Sequence, residues 1–119
     1  MRYRRQDPLR YIFPNPIGAR FKIIQVGDRP VDSSFGKAVI HDLSTGGLKM
    51  ATDIKIPLHK EIDVFLQLEF EGTSLSFTAD VVWMKPYMKE YLYGLDFKGD
   101  QKSEIVQALK KWKAIPANG

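Results

Sequence analysis

Two stretches of strict alternation, joined by a two-residue break, constrain this chain more than anything else in it. Ile62, Val64, Leu66, Leu68 and Phe70 share one parity, with Asp63, Gln67 and Glu69 on the other. Past Glu71-Gly72, Leu75, Phe77, Ala79, Val81 and Trp83 hold one parity against Ser74, Ser76, Thr78 and Asp80. Successive side chains of an extended chain point to opposite faces, so each stretch is a strand with one buried face. A connection as short as Glu71-Gly72 makes the pair an antiparallel hairpin. One hairpin cannot bury its own apolar face, so the rest of the chain must supply the opposite wall.

The remaining strands are less regular. Residues 20–26 alternate imperfectly and are broken by Gly27-Asp28-Arg29-Pro30. From Gly36 to Leu43, Ala38 and Ile40 lie on one face and Val39, His41 and Leu43 on the other, as in a strand covered on both sides. Ser44-Thr45-Gly46-Gly47 turns the chain into a strand starting at Leu48, and Tyr91, Tyr93, Leu95 and Phe97 mark a sixth. Six strands in succession predict a mostly β fold, a six-stranded antiparallel barrel or sandwich. Trp83, Phe77, Tyr93 and Phe97 share parity with aliphatic residues and are expected in the core.

Only the C-terminus has helical spacing. Ile105, Ala108, Leu109 and Trp112 recur on one face, Asp100 is a candidate cap, and Lys110, Lys111 and Lys113 suit the carboxyl end of the dipole. This helix is expected over an open mouth or edge of the barrel, anchored by Trp112. Tyr11 to Pro16, with two prolines, reads as an extended segment crossing a sheet. The expected division is a basic arm over residues 1–16 and a barrel with its helix over 17–119. Together they form a single domain, since 119 residues suffice for one hydrophobic core.

Several function classes have little support. Cysteine is absent, which excludes disulfides and thiolate chemistry, and no apolar run is long enough to cross a bilayer. No secretory leader is evident, so a cytoplasmic protein without membrane insertion is expected. His41 and His59 are the only imidazoles and lack ligand spacing, so no metal site is expected. His41 and Asp42, as strand neighbours, point apart and make a poor base and orienter, and no catalytic residue is assigned. The charge distribution is more informative. Of six arginines, Arg2, Arg4, Arg5 and Arg10 fall in the first ten residues, offset there only by Asp7. Such a segment favours an anionic partner or serves as a solvated tail.

At Asp42-Leu43-Ser44-Thr45-Gly46-Gly47 a strand ends in two short polar side chains projecting from one face. Asp42 is an acceptor suited to the N–H edge of a guanine, while Ser44 can donate or accept. Gly46 and Gly47 permit close backbone approach. The alternative is a capped turn in which both side chains satisfy their own backbone.

Asp42, Ser44 and Gly47 reproduce the spacing Asp/Asn-x-Ser-x-x-Gly, and here the chain resembles the PilZ domain family. The order of basic stretch, six strands and C-terminal helix is similar across nearly the whole chain. The resemblance implies a bacterial receptor or adaptor for the second messenger cyclic di-GMP that signals through a protein partner of motility, adhesion or secretion. It needs no other cofactor. In the family, arginines of an R-x-x-x-R motif clamp guanine and phosphate. That assigns Arg4, Arg5 and Arg10 to the ligand, with Arg2 auxiliary, facing Asp42, Ser44 and Gly47. Arginine suits this task because its planar fork pairs bidentately with guanine O6/N7 or phosphate.

One departure stands out. Arg5 and Arg10 enclose four residues rather than three, and the family spacing counted back from Arg10 falls on Gln6. Either the extra residue loops out, helped by Pro8, or the site is degenerate and the domain is a ligand-independent interaction module. A third reading is a small barrel that binds single-stranded nucleic acid through the arm, with Tyr3, Tyr11 and Phe13 as stacking platforms. It is the weaker reading, because most aromatics share the core parity.

Overall fold

A computed structural model describes residues 9–99, 101–112 and 115–116. Its elements are β1 (Leu9–Val26), β2 (Arg29–Pro30), β3 (Gly36–Ser44), β4 (Gly47–Thr52), β5 (Ile62–Phe70), β6 (Thr73–Tyr87), β7 (Glu90–Phe97), α1 (Lys102–Lys111) and β8 (Ile115–Pro116). The strands follow the order β2-β1-β3-β4-β7-β6-β5, and β1 also pairs with β5. That last pairing closes β1, β3, β4, β7, β6 and β5 into an antiparallel ring. Closure satisfies strand edges that an open sheet leaves unpaired.

The β5–β6 hairpin follows the alternation closely. Phe70 pairs with Thr73 across Glu71 and Gly72, whose φ angles are 50° and 78°. Consecutive positive φ values twist a two-residue turn in the sense that suits antiparallel strands. Val64, Leu66, Phe77 and Ala79 are buried, whereas Ser74 and Ser76 are exposed.

Elsewhere the alternation is reset by bulges. Ile40 pairs with Met50 and Asp42 with Lys49, so His41 is an extra residue in β3. The inserted residue shifts the phase, which corrects the face expected for Leu43: it joins Ile40 in the core, and both are fully buried. Val82 is likewise extra in β6, between Val81↔Leu95 and Trp83↔Gly94. A larger irregularity lies in β1, where residues 13–16 stand between Ile12↔Asp42 and Ile17↔Ile40. The segment expected to cross a sheet is therefore part of a strand, its prolines accommodated where the ladder is interrupted. The anticipated arm boundary at residue 16 falls inside β1.

The helix packs as its spacing requires, with Ile105, Ala108, Leu109 and Trp112 in the same core as the barrel. Gln101 precedes its first turn and makes no side-chain capping bond to it. Its side chain instead joins the helix start to β6: Oε1 accepts from the Thr78 amide at 3.3 Å and Nε2 donates to the Thr78 carbonyl at 3.2 Å. Asp100 lies outside the described residues. Trp112 meets Tyr11, Phe13 and Phe70 at centroid separations of 5.8, 5.9 and 5.0 Å. Tyr11 and Phe13, which were alternatives for stacking a ligand, are thus engaged in packing.

Candidate functional site

The single-residue bulges at His41 and Val82 produce one surface. Without His41 as an extra residue, Asp42 would keep the parity of Ile40 and face the core; without Val82, Trp83 would keep that of Val81. With both bulges in place, the register aligns Ile12, Asp42, Lys49, Gly94 and Trp83 directly opposite one another across β1, β3, β4, β7 and β6. The flanking row Tyr11, Leu43, Leu48, Leu95 and Val81 holds residues of the core or packed on it. The row containing Asp42 and Trp83 accordingly belongs to the outer surface.

Trp83 is therefore not a core residue, contrary to its sequence parity. Its indole lies over Gly94: a Cβ there would come within 2.2 Å of the indole ring. Glycine at position 94 gives the ring its resting place.

Around Asp42 the charges alternate. Its carboxylate lies 3.9 Å from Arg10 and 3.6 Å from Lys49, and its side chain is 12% exposed. Arg10 pairs in register with Ser44, one same-face step from Ile12 and Asp42. Ser44 closes the turn in the way the capped-turn reading requires. Its hydroxyl donates to the Gly47 carbonyl at 3.2 Å and accepts from the amides of Gly46 and Gly47 at 3.4 and 3.3 Å. The structure thus brings Arg10, Asp42, Ser44 and Gly47 onto one patch. Arg2, Tyr3, Arg4 and Arg5 lie outside the described residues. Lys49 and Trp83 were missed by sequence reasoning; a bulge has no signature in single-residue alternation, although the abrupt polar Asp42 in an apolar run was a hint.

Beyond the patch, Gly47 pairs with Asp96, Asp96 with Asp80 and Asp80 with Asp63, giving an acidic row across β7, β6 and β5. Partial burial raises the Asp80 carboxyl above its ordinary range, and Asp63 beside it adds to the effect. Lys98, 3.0 Å from Asp63, counteracts it. Among the described residues no group of His, Cys, Asp or Glu is arranged to hold a metal ion, and no helix is long and apolar enough to cross a membrane.

A family model described as PilZ domain matches residues 4–112. Among solved structures, the PilZ domain of CeSA from a cellulose-synthesizing bacterium is similar with a TM-score of 0.63 at 15% identity, covering 87% of this chain and 98% of that one. The Bacillus subtilis inhibitor of motility MotI/DgrA is similar with a TM-score of 0.61 at 11% identity. That match covers 95% of this chain and 53% of the other, so the present chain spans about half of it. A search of curated proteins finds no match.

Proposed function

Because this chain belongs to the PilZ domain family, we propose that it is a cyclic di-GMP receptor whose ligand docks between the basic arm and the outer patch of Arg10, Asp42, Ser44 and Gly47. The observation that carries this reading is the register itself, which gathers Asp42 and Ser44 of the Asp-x-Ser-x-x-Gly motif and Arg10 on adjacent same-face positions.

The chemistry fits a dianion with two guanine rings. Arg10 offers a planar fork to phosphate or to a guanine edge. Asp42, an acceptor only, addresses guanine N–H groups, and its pairing with Arg10 and Lys49 holds it in place beforehand. Lys49 adds positive charge next to the motif. Trp83, half-buried at the end of the same row, gives a purine a surface to stack on. Ser44 orders the turn that lets the ligand approach the backbone of Gly47. Arg4 and Arg5 complete the clamp. The bound state is read by a protein partner, and the likeness to an inhibitor of motility makes a motility component the first candidate.

Calorimetric titration with cyclic di-GMP at physiological salt, with GTP as control, tests the proposal. Arg10→Ala and Asp42→Ala are each expected to weaken binding about 10- to 100-fold, the equivalent of one or two charge-assisted hydrogen bonds. Unchanged affinity in both variants would remove the site from consideration. The second reading, a ligand-independent interaction module, draws on the four residues between Arg5 and Arg10. Absence of heat and of thermal stabilisation in the parent protein would favour it.

A further inference from the structure

A second surface lies on the opposite stretch of the β1–β3 ladder, away from the Arg10–Ser44 pair. There Lys37, Arg20, Gln67 and Ser76 stand directly opposite one another across β3, β1, β5 and β6. They line an open groove of about 870 Å³ with Gly18, Phe35 and the acidic Glu69. Strands lie roughly 4.8 Å apart, so the row is roughly 14 Å long, the span of four extended residues.

Two features of this groove bear on what it could hold. The first is Gly18. A glycine within a strand weakens it, yet this one lacks the positive φ that would demand glycine, and a Cβ built on it meets nothing within 4 Å. Neither conformation nor packing requires its bareness. Mid-strand glycines occur at bulges, at barrel corners and where another backbone comes close; Gly18 lies just past the irregularity over 13–16 and leaves bare backbone in the groove, open to such an approach.

The second is the cation pair. Arg20 and Lys37 are in register, and like charges facing each other across a ladder are unfavourable. Neighbouring Lys22 has Asp32 at 2.9 Å, whereas among the described residues no carboxylate forms an ion pair with Arg20 or Lys37. The guanidinium is nevertheless held in position. Arg20 Nε donates to Gln67 Oε1 at 2.8 Å, and its central carbon sits 4.1 Å from the ring centroid of Phe35, which is 41% exposed. A cation fixed in this way loses little side-chain freedom when an anion arrives.

We propose that this groove binds an extended acidic segment of a partner protein, its backbone passing over Gly18 and its carboxylates meeting Arg20 and Lys37. Beyond the cations the row continues through the neutral amide of Gln67 and hydroxyl of Ser76, polar groups that a chain can reach and a point anion at Arg20 and Lys37 cannot. This surface does not share residues with the nucleotide patch, so it stands or fails independently of that reading.

The probe is a fluorescein-labelled peptide, Gly-Glu-Glu-Leu-Glu-Glu-Gly, followed by anisotropy and by amide shifts in the ¹⁵N-labelled full chain, with inorganic phosphate in parallel. Saturable binding is expected, with shifts at Gly18, Arg20, Lys37, Gln67 and Ser76. Gly18→Val should lower affinity at least about tenfold without lowering the melting temperature, because the new side chain enters open space. The double variant Arg20→Glu with Lys37→Glu should abolish binding. The proposal is overturned by absence of saturation at about 1 mM peptide, or by shifts confined to the 42–47 turn. It is also overturned if phosphate alone reproduces the shifts, or if either variant binds like the parent.

Discussion

The two walls of this barrel use the same strand chemistry to different ends. On the β5–β6 wall the side chains alternate without interruption within each strand, from Ile62 to Phe70 and from Thr73 to Val81, and the inward set Val64, Leu66, Phe77 and Ala79 is almost wholly excluded from solvent. On the β1–β3–β4–β7 wall the alternation is reset by extra residues at His41 and over 13–16, and Val82 does the same where β6 crosses to that side. The regular wall builds core and places polar residues outside by default. The bulged wall spends its irregularities on moving Asp42 and Trp83 from inward to outward positions. A bulge therefore relocates a side chain by a full face while the ladder on either side continues.

The comparison is broken most severely by emptying the regular wall. Phe77 is 2% exposed and stacks on Phe97 at 4.5 Å. Phe77→Ala is expected to cost about 3–5 kcal/mol in urea unfolding, while the proposed cyclic di-GMP titration should give the same result for its folded fraction as for the parent. A loss below about 1 kcal/mol would mean that the core does not depend on this wall.

A smaller effect is expected where the bulged wall holds its outward tryptophan. In Gly94→Ala the added methyl meets the indole, so Trp83 must shift away from the sheet. The stability cost is about 1–3 kcal/mol, and the fluorescence of Trp83 should move to the red as its ring gains water. An unchanged spectrum would contradict the placement of that ring over Gly94.

The smallest expected effect concerns the acidic row at the junction of the walls. Because burial and Asp63 raise the Asp80 carboxyl in the folded protein, its ionised form opposes folding. The penalty is complete above the raised folded value and disappears as pH falls through it toward the ordinary carboxylate range. Asp80→Asn should stabilise the protein at pH 7 by less than about 1 kcal/mol, and the gain should fade in acid. A gain that persists at low pH would assign the effect to packing instead of charge.

Much of the fold was legible because it rests on local, repeated signals. The Ile62–Trp83 hairpin follows from two runs of alternation, and the helix follows from Ile105, Ala108, Leu109 and Trp112. Of the candidate site, Asp42, Ser44 and Gly47 were legible through the family resemblance that their spacing carries, and Arg10 from its place in a basic run. Lys49 and Trp83 were not, because Lys49 gains meaning only from the strand beside it and Trp83 carries the parity of the core. Residues 11–16 misled for a related reason: prolines argue against a regular strand, and only pairing with β3 on both sides of the irregularity makes one.

By itself the sequence determined most of the six strands of the ring, though not the two-residue strands β2 and β8, together with the antiparallel β5–β6 hairpin and the apolar face of the helix. These depend on backbone periods of 2 and 3.6 that each segment carries within itself. The tertiary structure decided the closure of β1 onto β5, the positions of the bulges and therefore the face that each polar side chain occupies. Such features are set by register between strands distant in the chain, where one extra residue inverts a face and no local period records it.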